Sequence, residues 1–168
     1  MGRGYSIVCD HCDYSDEFRL GVGFAYPHVY NSTMEAVKSG KYGRRLKEFV
    51  KKHPNGAVDP ELVLSRCPKC NRLETVINLS SYLPNPGYDP SNKPRRAWSS
   101  VMPCYDIDYV SPNNIKHHYS LEKRYMHRCK KCRAETQILT ESADFTDTTL
   151  LCPQCGEVLV VKQNSMWD

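Results

Sequence analysis

Eight of the nine cysteines in this 168-residue chain fall into four Cys-x-x-Cys pairs, at Cys9/Cys12, Cys67/Cys70, Cys129/Cys132 and Cys152/Cys155. Disulfide frameworks scatter their cysteines at varied spacings, whereas a metal site takes two ligands from one tight turn and so repeats the two-residue gap. Two such turns, called knuckles below, supply four thiolates to one ion. The sequence therefore predicts two bound zinc ions, with iron as the alternative metal.

The residue after the second cysteine of a knuckle often needs a left-handed backbone conformation, which glycine adopts without strain and asparagine or aspartate tolerate best. This position holds Asp13, Asn71, Arg133 and Gly156. Three of the four fit, which independently supports the knuckles. Arg133 does not fit, and we expect a distorted third knuckle.

Two pairings of the knuckles are open. In the sequential scheme, the first knuckle shares an ion with the second, and the third with the fourth. Cys132 and Cys152 are separated by 19 residues, a spacing usual for zinc ribbons. In the other scheme, the second knuckle pairs with the third and the first with the fourth. Because short loops close at lower entropic cost, we expect the sequential scheme.

The local pattern around each knuckle is that of strand, turn and strand. Short strands are predicted on both sides of all four knuckles and at 105–110. A capping box at Ser32 and Glu35 predicts a helix over 33–39 that ends at Gly40, followed by a second helix over 41–52. Asn113 or Asn114 is expected to cap a short helix. The Gly21-Val22-Gly23 stretch is interpreted as a turn.

These elements predict a small α+β fold with two β-rich zinc-ribbon modules and a helical insertion in the first. The N-terminal ribbon is expected at 1–82, with the helical insertion at about 32–53. Four prolines within residues 80–100 mark the start of a Pro-rich and basic connecting segment, expected at 83–123. The C-terminal ribbon is expected at 124–168.

The Cys152-Pro153-Gln154-Cys155-Gly156 motif, followed by an apolar strand, resembles the terminal half of a zinc-ribbon or rubredoxin-like module. Cys67-Pro68-Lys69-Cys70 resembles it without the glycine. The chain is also similar to bacterial zinc-ribbon proteins of unassigned function that have two ribbons and a basic middle. This resemblance covers residues 5–20, 62–79 and 124–162. It implies a metal and a fold, but no activity, since ribbons occur in proteins of many functions.

Positive charge is concentrated in the middle of the chain. Residues 93–133 carry a net +7, whereas residues 134–168 carry −5. Cations interleaved with aromatic rings suit a nucleic acid, because cations meet phosphates and rings stack on bases. The candidate nucleic-acid-binding residues are Lys93, Arg95, Arg96, Trp98, Lys116, Lys123, Arg124, Arg128, Lys130 and Lys131. A solvated basic face, or a protein partner, remains the alternative.

The predicted function is therefore a non-catalytic zinc-binding module for nucleic acid or protein. One alternative is a redox-responsive protein whose thiolates are oxidised with loss of zinc. Another is a small enzyme that uses the ninth cysteine, Cys104, with His117 or His118. His11 and His127 are interpreted as loop residues rather than ligands. Neither a signal peptide nor a membrane span is evident, so a reducing cytoplasm is expected.

Overall fold

The computed structural model describes residues 2–90, 108–139 and 149–167. Helices α1, α2 and α3 span Tyr26–Ser39, Arg44–Lys52 and Pro112–His118. The strands are β1 Gly2–Cys9, β2 Ser15–Leu20, β3 Ala57–Val58, β4 Leu62–Arg66, β5 Leu73–Ile77, β6 Ser81–Pro84, β7 Tyr119–Lys123, β8 Gln137–Ile138 and β9 Leu159–Trp167. The molecule is thus a small α+β protein. None of these helices is long and apolar enough to cross a membrane.

The chain divides into two compact units, and each is assembled from separate stretches of sequence. The first unit comprises Met1–Phe24, Glu61–Asn78 and Met126–Asp168, and the second comprises Ala25–Pro60 and Leu79–Tyr125. All four knuckles belong to the first unit. The units therefore do not follow the contiguous segments expected from the sequence.

The first unit contains two three-stranded antiparallel sheets. In one, β1 lies between β2 and β9, and in the other β4 lies between β5 and β8. The β1–β9 register pairs Gly2 with Trp167 and Cys9 with Leu159, so the first and last strands of the chain lie side by side. All six strands of these sheets flank knuckles, as predicted. The strands predicted before the third and fourth knuckles are reduced to single bridges, Arg128 with Glu135 and Leu151 with Val158.

One hydrophobic core serves both sheets of the first unit. Alternate residues of β1 and β2, including Ile7 and Leu20, pack with Leu64 of β4 and with Leu150 near the fourth knuckle. All four side chains are essentially buried. At about 25 cal/mol per Å² of apolar surface, each such side chain contributes roughly 1.5–3 kcal/mol. The core thus ties together segments that lie far apart in sequence.

The helices belong to the second unit. Helix α1 begins at Tyr26, earlier than predicted, because Pro27 lies in its first turn, where its missing N–H costs nothing. The capping box at Ser32 does not form, and the Ser32 hydroxyl instead donates to the carbonyl of Val29. The C-terminal end is as predicted, with Gly40 left-handed at φ 93°.

A third sheet, of order β3-β6-β7, completes the second unit and was not predicted. Helix α3 leads directly into β7 and is capped by the hydroxyl of Ser111, which accepts from the N–H of Asn114. The helix was predicted, but its cap was assigned to the wrong residue. Of the strand predicted at 105–110, residues 105–107 lie outside the described part, and 108–110 form no strand.

Candidate metal centres

Two groups of four cysteines stand out in the first unit. The first site consists of Cys9, Cys12, Cys152 and Cys155. The second site consists of Cys67, Cys70, Cys129 and Cys132. Within each group, all four Sγ atoms lie within 4.8 Å of one another. Among the described residues, both groups contain cysteines alone.

The sulfur separations match a metal centre rather than disulfides. In the first site, Sγ of Cys9 lies 3.5 Å from Sγ of Cys155. In the second site, Sγ of Cys67 lies 3.3 Å from Sγ of Cys132. A disulfide requires about 2.05 Å. A tetrahedral ion with metal–sulfur bonds of about 2.3 Å places its ligands roughly 3.8 Å apart. Both groups are therefore of the right size to hold a metal ion.

The sequential pairing of knuckles is wrong, and the nested alternative is what the structure has. The first knuckle joins the fourth, and the second joins the third. The predicted ribbon of 124–168 is thus divided between two sites. The expectation relied on loop entropy, which rises by only about 0.6 kcal/mol for each doubling of loop length. The backbone pairing of β1 with β9, and of β4 with β8, outweighs so small a term.

All four knuckles share one backbone hydrogen bond. The N–H of the first cysteine donates to the carbonyl five residues later, as from Cys9 to Tyr14 at 2.9 Å and from Cys152 to Glu157 at 2.7 Å. Cys67 and Cys129 make the same bond. This bond closes the turn and holds both sulfurs on one side. The repeated strand–knuckle–strand pattern therefore corresponds to a repeated local structure.

The residue after the second cysteine has a left-handed backbone in three of the four knuckles. Residue type favoured the first, second and fourth knuckles, whereas the structure has this conformation in the second, third and fourth. Asn71, Arg133 and Gly156 have φ of 53°, 61° and 83°. Asp13 does not have a positive φ. The distortion expected at Arg133 is absent, because the backbone of that residue adopts the strained conformation. The exception lies in the first knuckle instead.

Each site contains one thiol with a strongly lowered pKa. Burial opposes ionisation of Cys152, but the N–H groups of Cys155 and Gln154 and the thiols of Cys12 and Cys155 overcome it and lower its pKa to about 6. In the second site the pKa of Cys67 falls to about 6 for the same reasons, with donors from Cys70 and Lys69. Each site therefore offers a thiolate at neutral pH.

Other ligands resist ionisation while no metal is bound. The N–H of Tyr14 lowers the pKa of Cys12, but burial and the neighbouring cysteines outweigh it and raise that pKa to about 12. The pKa of Cys70 is raised to about 11 by the same balance, against the N–H of Arg72. Thiolates are the ligand form, so metal binding has to displace protons from these groups.

The side chains around the two sites carry opposite charge. The first site's knuckles carry exposed carboxylates at Asp10, Asp13 and Glu157. The second site's knuckles carry no exposed carboxylate between Cys67 and Arg72 or between Cys129 and Ala134, and most of their exposed side chains there are cations. We call the exposed cations in and beside the second site the basic knuckle surface; they are Lys69, Arg72, Arg128, Lys130, Lys131 and Arg133.

Two cations of this surface share a carboxylate. Nε of Arg72 lies 2.7 Å from Glu74, and Nζ of Lys130 lies 3.5 Å from the same carboxylate. Arg72 belongs to the second knuckle and Lys130 to the third, so Glu74 links the two knuckles of one site. Sequence reasoning missed Lys69 and Arg72, because it assigned their knuckle to the other ribbon. The two cations in the Cys67–Arg72 segment could have indicated that this knuckle belongs to the basic surface.

The predicted nucleic-acid residues are spread over both units. Arg128, Lys130 and Lys131 are exposed in the first unit. Lys116, Lys123 and Arg124 are exposed in the second. The remaining four, Lys93, Arg95, Arg96 and Trp98, lie outside the described residues. The structure therefore groups three of the ten with three cations of the second site.

The histidines are not part of either cysteine group. His11 is exposed within the first knuckle. His127 is half-buried, with Nε2 3.3 Å from the carbonyl oxygen of Asn78, and burial lowers its pKa. His118 stacks on Tyr88, with ring centroids 4.5 Å apart. Cys104, the proposed nucleophile of the enzyme alternative, lies outside the described residues.

No protein-family model, curated protein or solved structure matches this chain.

Proposed function

We propose that this chain is a non-catalytic protein with two structural zinc ions that binds nucleic acid through its basic knuckle surface. The observation that carries the proposal is the convergence of cations from two remote segments, 67–72 and 128–133, on one four-cysteine site. The zinc-ribbon resemblance of these segments agrees with it.

A structural role for the metal follows from the ligand set. Zinc with four protein ligands has no position left for water or substrate, whereas catalytic zinc sites keep one open. Each group here supplies four thiolates. Such an ion contributes to folding, and its removal unfolds many small domains.

Nucleic acid is the partner class that best fits the basic knuckle surface. Six exposed cations lie in and beside two short turns. Against them, in the described part of the chain, stand two carboxylates, Glu74, which pairs with Arg72 and Lys130, and Glu135, which lies opposite Arg128. Four thiolates and one zinc ion carry a formal charge of roughly −2, which is smaller than the total positive charge of the six cations. Cations held on rigid turns suit a phosphate backbone, since little conformational entropy is lost on binding.

The test is binding of a mixed-sequence single-stranded oligonucleotide, followed by fluorescence anisotropy over a range of salt concentrations. In the variant with Lys130→Ala and Lys131→Ala, we expect weaker binding and a salt slope smaller by about 1.4, or roughly 0.7 per lost phosphate contact. The matched control replaces Lys51 and Lys52, another exposed adjacent pair, at the end of α2. It removes the same charge and should leave the slope unchanged.

Native mass spectrometry of each variant first verifies two zinc ions per chain, so that a binding defect is not mistaken for metal loss. Equal losses of affinity in the two double variants would mean that binding depends only on the net charge of the protein. That result would contradict binding at the basic knuckle surface. Absence of binding even at low salt would reject nucleic acid and leave a protein partner with an acidic face.

A further inference from the structure

The two sites differ in how far their ligands are exposed. Cys155 is exposed, whereas the other seven ligands are buried or half-buried. Its counterpart in the third knuckle is Cys132, which is also the second cysteine of its turn and is only partly exposed. A reagent in solution can therefore reach the first site most easily at the sulfur of Cys155.

The residue that follows each of these cysteines accounts for part of the difference. Gly156 follows Cys155, and a Cβ built at Gly156 would have no atom within 4 Å. Arg133 follows Cys132 with the same left-handed backbone, at φ 61° against 83°. The space beside Cys155 is open, and the corresponding place beside Cys132 carries a long side chain.

Charge adds to the difference in access. Cations near a thiolate stabilise its negative charge and weaken it as a nucleophile, whereas carboxylates do the opposite. Lys130, Lys131 and Arg133 surround Cys132 in sequence, while Gln154, Gly156 and Glu157 surround Cys155. A metal-bound thiol is already deprotonated, so Cys155 keeps its anionic sulfur while it is a ligand.

We propose that Cys155 is the modification site of this protein for small uncharged two-electron oxidants such as hydrogen peroxide, and that its oxidation releases the metal of the first site only. This inference rests on metal loading of the first site and is independent of nucleic-acid binding.

The chemistry balances within the site. The Cys155 thiolate attacks one oxygen of the peroxide, an S–O bond forms, the O–O bond breaks and hydroxide leaves, giving a sulfenic acid. The Cys9 thiolate, whose sulfur lies 3.5 Å away, then attacks the Cys155 sulfur. An S–S bond forms, the S–O bond breaks and a second hydroxide leaves. Two thiolates lose two electrons, the peroxide gains them, and the ion loses two of its four ligands.

The experiment treats the full, zinc-loaded chain with limiting peroxide. A zinc-sensitive dye follows release, and differential alkylation with mass spectrometry identifies the oxidised cysteines. We expect one zinc ion to be released first, together with a Cys9–Cys155 disulfide, while the second site stays reduced. A thiol reductant and zinc should restore the starting state. Release from the second site first, or from both sites at one rate, would overturn the proposal.

A reciprocal exchange tests the role of access. Gly156→Arg places at the first site the residue that the second already carries in the same conformation. It covers the Cys155 sulfur and adds a cation beside it, and both changes should slow the first release severalfold. Arg133→Gly should speed release from the second site. If Gly156→Arg binds fewer than two zinc ions, Gly156→Asn replaces it, since Asn71 holds that conformation at φ 53°. A fully loaded variant that releases its first zinc at the wild-type rate would refute the role of access.

Discussion

The two metal sites of this protein have one backbone design and two different surroundings. In both, a hairpin knuckle from one part of the chain faces a knuckle from another, and the same N–H to carbonyl bond closes each turn. Yet the first site is flanked by Asp10, Asp13 and Glu157, and the second by six cations. The turn thus fixes the positions of the four sulfur atoms. The residues between and beside the cysteines determine the charge that each site presents to a partner or reagent.

The two sites also differ in their contact with one hydrophobic cluster, to which, among the described residues, the first site contributes cysteines and the second contributes none. Cys9 and Cys152 of the first site belong to the hydrophobic cluster that includes Ile7, Leu64 and Leu159. The cluster packs against Cys12 as well. We therefore expect the first site to contribute more to the stability of its unit, although it is the more exposed at Cys155. The first site therefore combines cysteines packed in the hydrophobic core with one exposed cysteine.

The largest expected effect comes from removing one buried ligand from each site. Cys152 and Cys129 are both 1% exposed and both first in their knuckles, so Cys152→Ser and Cys129→Ser form a matched pair. Each variant should bind one zinc ion instead of two. We expect each to lose at least about 3 kcal/mol of unfolding free energy, with the greater loss in Cys152→Ser because of its core contacts.

Native mass spectrometry gives the metal count, and chemical denaturation at fixed free zinc gives the stability. Cys155→Ser is the internal control at the first site, because it removes a ligand without disturbing the core. Equal losses from Cys152→Ser and Cys129→Ser would show that the core does not distinguish the sites. Loss of both ions from either variant would show that the sites fold as one.

The knuckles themselves could be predicted from the sequence, because the two-residue gap and the flanking strands are local features. The pairing was not, since it depends on β1 meeting β9 across nearly the whole chain. Nothing in Cys129–Cys155 marks that segment as divided between two sites. Loop length was the only guide, and its free energy is too small to decide the matter.

The second unit illustrates a different limit. Helix α2 and the end of α1 followed from periodicity and Gly40, but β6 and β7 lie where proline and polar residues conceal the pattern. Their pairing joins residues near position 82 to residues near 121. Tertiary contacts specify these strands, so propensity alone did not reveal them.

A smaller effect should separate the third and fourth knuckles. Arg133 holds a left-handed backbone that costs a side-chain-bearing residue about 1 kcal/mol, so Arg133→Gly should stabilise the protein by up to about that amount. Gly156→Ala should destabilise it by about 1 kcal/mol through the same strain, because the open space there excludes a clash. Thermal unfolding of the zinc-loaded proteins measures both.

Opposite signs for these two changes would establish that one backbone requirement acts at both knuckles. Asp13→Gly is the control, because Asp13 has no positive φ and therefore no strain for glycine to relieve. A stabilised Asp13→Gly variant, or a destabilised Arg133→Gly variant, would contradict the assignment.

The smallest effect concerns the acidic surroundings of the first site. Tyr14 follows the first knuckle, and burial, with the charge of Asp16 and a hydrogen bond to it, raises the pKa of its phenol to about 12. The neutral phenol is the favoured form, so its stabilising contribution is complete below pH 10. It is lost as pH rises from 10 through about 12, where the unfolded chain releases the proton more readily.

Replacing Asp16 by asparagine tests whether this carboxylate charge reaches the first site. Asp16→Asn should lower the pKa of Tyr14 toward 10 without reaching it, because burial remains the larger cause. Absorbance at the phenolate band reports the titration, and Tyr14→Phe identifies the contribution of Tyr14. Tyr119, whose pKa is raised to about 12 by burial and by Tyr88, has no carboxylate among its causes and should titrate unchanged. An unchanged Tyr14 would mean that Asp16 does not raise its pKa, and that this carboxylate does not alter the electrostatics beside the first site.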